Sequence, residues 1–78
     1  MLPDRKRQVR VRANAAGDVE LRVKPGDRVE RGTALVVVEG DDQIETLSAR
    51  ADAVVLSVHV EDGAEVEAAT LLVVLQED

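Results

Sequence analysis

An internal repeat constrains this chain more than any other feature. Displaced by 37 residues, Val23, Gly26, Val29, Glu30, Thr33, Leu35, Val36 and Val37 fall on Val60, Gly63, Val66, Glu67, Thr70, Leu72, Val73 and Val74. Eight identities in a fifteen-residue window are well above chance for a chain of 78 residues. Each copy reads as a strand, a glycine turn, an isolated valine, a polar turn and an apolar strand. Neither copy can bury its apolar face alone. Two copies packed face to face close a core around an approximate two-fold axis.

The residue types inside the repeat point to strands. Valine supplies 15 of the 78 residues, and its branched Cβ favours a pleated surface. Val9 and Val11 alternate with polar residues, as do Val19, Leu21 and Val23. Val54, Leu56, Val58 and Val60 form a third apolar phase, against Val55, Ser57, His59 and Glu61. Each such pattern turns one face inward. The runs 34–38 and 71–75 are continuously apolar, which suits strands covered on both sides or in a sandwich core. Lys24-Pro25-Gly26-Asp27 and Glu61-Asp62-Gly63-Ala64 read as turns. Glu39-Gly40-Asp41-Asp42-Gln43 reads as a β-hairpin tip linking the two halves. No segment carries a convincing helical period; residues 64–69 come nearest, with Val66 as their one large apolar side chain.

These signals predict an all-β fold of eight short strands, a barrel or sandwich with internal two-fold symmetry. The strands are expected at 8–13, 18–24, 28–30, 33–39, 43–49, 53–61, 65–67 and 70–76. Residues 1–7 form a charged N-terminal arm, and residues 8–78 a single domain. A domain this small buries only about 60% of its unfolded surface, so its core has to be efficient.

Composition removes whole classes of function. There is no cysteine, which excludes disulfides and thiolate metal sites. There is no aromatic residue, which excludes base-stacking platforms and aromatic cages. A single histidine, His59, provides neither a zinc site nor a triad, and its place out of phase with the apolar set turns it to water. Ser48 and Ser57 lack a histidine at a motif spacing. No glycine-rich phosphate loop is present. The net charge of −6 disfavours nucleic acid and anionic membrane surfaces. That charge is uneven: residues 1–39 carry +3 and residues 40–78 carry −9. No apolar run is long enough to span a bilayer, and no leader-like segment is evident, so the expected location is cytoplasmic.

Gly17-x-Val19, Val23-Lys24-Pro25-Gly26-Asp27-x-Val29, Gly32-x-x-Leu35, Glu39-x-Asp41, Val60-x-x-Gly63-x-x-Val66 and Leu71-Leu72 follow one another between residues 17 and 75. In that order and spacing they resemble the biotinyl/lipoyl attachment domain family. The resemblance implies a flattened barrel-sandwich of two four-stranded antiparallel sheets, whose central hairpin protrudes at one end. It also implies a lysine at the tip that accepts biotin or lipoate as an amide, in an Asp-Lys or Met-Lys-Met context. Here the tip is Gly40, Asp41, Asp42 and Gln43: Asp41 fits the lipoyl form, and the lysine position is Asp42. A carboxylate cannot be the nucleophile of amide formation. The only lysines are Lys6, in the arm, and Lys24, in the first Pro-Gly turn. The family's Ala-Pro before a Gly-Val-Val strand start is replaced by Ala49-Arg50 and Ala53-Val54-Val55. Alanine in place of glycine there is strained if φ is positive.

Two charged stretches remain. Glu39, Asp41, Asp42 and Glu45 surround the tip and read as a solvated loop, with a hard-cation or docking site as the functional alternative. Arg5, Lys6, Arg7, Arg10 and Arg12 read as a solubilising arm and a protected edge strand, with an acidic partner as the alternative. The expected function is a non-catalytic binding module with no cofactor, no metal and no catalytic residue. The resemblance implies protein partners such as subunits of biotin-dependent carboxylases or 2-oxoacid dehydrogenase complexes. The alternatives are a structural barrel of an adaptor or secretion assembly, or a carrier modified at an unexpected lysine.

Overall fold

The structure, a computed structural model, describes residues 7–78. The arm residues Met1 to Lys6 lie outside the described residues, and with them the Arg5 and Lys6 part of the basic stretch. Eight strands are described: β1 (Arg7–Arg12), β2 (Gly17–Leu21), β3 (Arg28–Val29), β4 (Ala34–Glu39), β5 (Ile44–Ser48), β6 (Ala53–Val58), β7 (Glu65–Val66) and β8 (Leu71–Glu77). They form two antiparallel four-stranded sheets, ordered β1-β8-β6-β3 and β5-β4-β2-β7. Exchanging β1 with β5, β2 with β6, β3 with β7 and β4 with β8 turns one sheet order into the other. The repeat read from the sequence is therefore a two-fold relation between sheets. No helix is long and apolar enough to cross a membrane among the described residues.

The turns repeat down to single hydrogen bonds. Gly26 N–H donates to Val55 O at 2.8 Å, and its counterpart Gly63 N–H donates to Val19 O at 2.7 Å. Gly32 N–H donates to Ala49 O as Ala69 N–H donates to Ala13 O, both at 2.8 Å. Gly26, Gly32 and Gly63 hold φ near +90°, and Ala69 completes the set at φ 72°. The strained alanine is thus Ala69, not one in the 49–53 turn; Ala53 lies in β6 and is fully buried.

Leu35, Val36, Leu72, Val73, Val55 and Leu75 are the largest fully buried side chains. Register irregularities at Ala34/Val36 in β4 and opposite Val11/Arg12 in β8 turn two consecutive residues inward. That is why Leu35 and Val36, like Leu72 and Val73, are both at 0% exposure, and why these strands read as unbroken apolar runs. β6 differs from its expected phase. Ala53 and Val55 face the core, whereas Leu56 is 40% exposed. A bulge between Val55 and Ser57 then shifts the phase, so that Val58 and Val60 pack against the core. β2 and β6 end at Leu21 and Val58, short of the expected 24 and 61. Past each end one bond persists, Arg22 N–H to Leu35 O and His59 N–H to Leu72 O. The apolar alternation continues because Val23 and Val60 still pack inward after the ladder has stopped.

Candidate functional site

The β4–β5 ladder closes at Glu39 opposite Ile44, leaving Gly40, Asp41, Asp42 and Gln43 as the connection. Gly40 N–H donates to Gln43 O at 2.8 Å and pins the loop. Asp41, Asp42 and Gln43 are exposed. The expected hairpin tip is therefore present, with its three polar side chains in water.

Glycines seat the hairpin on its neighbours. A Cβ at Gly17 would stand 2.5 Å from Glu39 O and 2.9 Å from Val38 Cγ1. No side chain fits there, so β2 starts directly beneath the end of β4. A Cβ at Gly40 would meet Ala16 O at 3.0 Å, so the tip base rests on the β1–β2 connection. Between that connection and the tip lies an open groove of about 600 Å³, lined in part by Asn14, Ala16, Gly40, Ile44 and Glu45.

The structure separates the four carboxylates that the sequence places together. Glu39 pairs with Asp18 and Ile44 on the outer face of its sheet. Asp18 in turn faces Glu65, so three carboxylates follow one another across β4, β2 and β7. Like charges directly opposite on a sheet repel. Glu45 pairs with the buried Val38 and so points the other way, into the groove. Its Oε2 accepts a hydrogen bond from Asn14 Nδ2 at 2.6 Å, while Oε1 is shielded from solvent without a partner. Asp41 and Asp42 stand alone at the tip. Among the described residues no three His, Asp or Glu side chains are placed to hold a metal ion.

Lys24 lies elsewhere. The β2–β4 ladder runs from Asp18/Glu39 at the hairpin end to Leu21/Val36, and Lys24 follows beyond that far end. It is exposed, with Nζ 3.4 Å from Asp27 Oδ1. Its backbone N–H donates to Asp27 Oδ2 at 3.0 Å. That backbone hydrogen bond, helped by the Lys24 side chain and opposed by slight desolvation, holds the Asp27 carboxyl below its ordinary range. The tip itself, Gly40 to Gln43, carries no amine.

His59 is exposed, as expected, but it has a partner that motif spacing did not reveal. Ser57 Oγ and His59 Nε2 are 2.8 Å apart. Residues i and i+2 share one face of an extended chain, and that period would have found the pair. Among the described residues no carboxylate bonds the other ring nitrogen, the feature that orients the base in a Ser-His-Asp arrangement.

Three comparisons bear on this arrangement. A family model described as "Biotin-requiring enzyme" matches residues 9–75. One of 29 matching chains of solved structure is a single-chain, multi-domain long-chain acyl-CoA carboxylase. It is 27% identical with a TM-score of 0.84, over 91% of this chain. This chain spans only 7% of that one. No curated protein matches.

Proposed function

The chain belongs to the biotinyl/lipoyl domain family, and from that membership we propose that it is a carrier-type domain that has lost its attachment chemistry and serves as a non-catalytic docking module. The observation that carries this reading is the tip. A well-formed hairpin presents Gly40, Asp41, Asp42 and Gln43 to solvent, and none of them has an amine. Asp42 takes the place of the acceptor lysine. Recognition of an acceptor depends on its position on a rigid element. Lys24, past the opposite end of the ladder, does not satisfy that geometry.

The partner on this reading is a biotin-dependent carboxylase assembly, with a 2-oxoacid dehydrogenase assembly as the other branch. The likeness to an acyl-CoA carboxylase supports the first. Shape and tip, kept without the prosthetic group, let the domain occupy a carrier's docking position, holding a subunit or competing with a true carrier.

The test is intact mass after incubation with active biotin and lipoate ligases. The wild-type chain is expected to keep its mass, and folded Asp42→Lys to gain one biotinyl or lipoyl group. Modification of the wild-type chain at Lys24 or Lys6 would overturn the reading. A folded Asp42→Lys chain that stays unmodified would show that the tip has departed from an acceptor by more than one residue.

A further inference from the structure

We propose that the seam between β1 and β5 receives an extended, acidic segment of a partner protein as an added strand. The inference goes beyond the docking role above and does not depend on the chemistry of the hairpin tip.

Each sheet has one long and one short edge. Among the described residues, β1 and β5, of six and five residues, have a single neighbour each, while the opposite edges β3 and β7 are two residues long. Unpaired edge backbone is therefore concentrated on β1 and β5. These two strands flank one groove. Asn14, just after β1, bonds Glu45 near the start of β5, so the strands run antiparallel past each other. The groove between them has a volume of about 470 Å³. Val9 and Val11 from β1 and Leu47 from β5 form its half-buried apolar floor. The two-fold relates the strands on the two sides of the seam, and the sheet orders leave them unpaired with each other.

Its rim is basic in an acidic protein. Arg10 and Arg12 alternate with the floor valines, and Arg50 follows β5. Arg12 donates to Ala69 O at 3.0 Å. Among the described residues, Arg10 and Arg50 have no ion-pair partner. Among the described residues Glu77 is the one acid lining the groove, opposite Arg7 in the β1–β8 register. Three guanidinium groups against one carboxylate define what can lie there. Arginines on an edge normally prevent strand pairing, and a second β1 would set arginine against arginine. A strand with carboxylates at alternate positions removes that obstacle. Its intervening apolar side chains would meet Val9, Val11 and Leu47. Main-chain bonds to the edge would supply affinity and the alternate side chains specificity.

The probe is a blocked hexapeptide of alternating glutamate and valine, titrated into the 15N-labelled full chain. Amide shifts are expected to centre on β1, β5 and Arg50, and to shrink with added salt. Arg10→Glu and Arg50→Glu are each expected to weaken binding by about tenfold. Arg50 lies outside both strands, and the free-state spectrum of each variant reports its folding. A lysine–valine peptide of the same pattern is expected not to bind. Equal binding of the two peptides, shifts centred on residues 40–43, or no binding at millimolar peptide would each overturn the inference.

Discussion

Replacing Ala69 by glycine is expected to stabilise the domain. Ala69 holds φ at 72°, where its two-fold counterpart Gly32 holds 93°. The conformation is imposed: Ala69 N–H is committed to Ala13 O at 2.8 Å, as Gly32 N–H is to Ala49 O. A left-handed backbone costs a non-glycine residue about 1–2 kcal/mol. Glycine returns about 0.4–1 kcal/mol of this through the greater entropy of the unfolded chain. Ala69 is exposed, so losing its methyl group loses no burial. The net gain is roughly 0.5–1 kcal/mol, a rise in Tm of about 2–8 °C for a domain of this size. Gly32→Ala is the reciprocal experiment. Nothing lies within 4 Å of a Cβ built there, so its cost is backbone strain alone, and the expected loss is of similar size. Urea unfolding followed by far-UV circular dichroism measures both, since the chain has no tryptophan or tyrosine to follow by fluorescence. Destabilisation by Ala69→Gly, or a Gly32→Ala chain as stable as wild type, would refute the argument from strain.

Gly17→Ala places a methyl group 2.5 Å from Glu39 O and is expected to lower stability by about 1–3 kcal/mol; urea unfolding gives the value, and shifted amides at residues 38–40 would locate the damage. Leu35→Ala and Leu72→Ala remove side chains that are both at 0% exposure. Each is expected to cost about 2–5 kcal/mol, enough to leave much of a small domain unfolded, and two-fold equivalence predicts similar losses in calorimetry. Asp27 has a lowered pKa in the folded state. Its contribution is therefore present above the ordinary carboxylate pKa and is lost as pH falls through the lower, folded value. Asp27→Asn is expected to flatten the fall of Tm with pH below about 4, and an unchanged acid limb would disprove the role of that carboxylate.

The fold was legible because it is written twice. Gly26 and Gly63 mark equivalent turns, and the valines around them alternate with the right period, so two copies constrain each strand. What the sequence hid are bulges. A register shift in a strand consumes one residue without changing composition, so nothing announced that Leu56 would face water or that Leu35 and Val36 would both turn inward. The tip was legible as a loop, but the direction of each carboxylate was not. Glu39 and Glu45 are close in the chain, yet they lie on opposite faces of their sheet because of how each pairs across the β4–β5 ladder. The seam was hidden for the same reason. Arg10 and Arg50 are forty residues apart and line one groove only because the edges of the two sheets lie side by side, whereas the alternating arginines of β1 alone read as edge protection.

The hydrogen bonds and core that hold the barrel leave the tip out. Outside the strand ladders, every backbone bond repeated by the two-fold lies in the turns at residues 22–33 and 59–70 or in their partners at 13, 19, 35, 49, 55 and 72. Asp41 and Asp42 appear in none of them and are exposed. Exposed substitutions away from caps, strain and packing change stability by about 0.5 kcal/mol or less. An acceptor residue at the tip can therefore be exchanged for a carboxylate while the barrel, its open seam and its acidic outer row keep their shape. The scaffold places no thermodynamic demand on the residue that would carry the chemistry. Asp42→Lys is therefore expected to leave the urea midpoint unchanged.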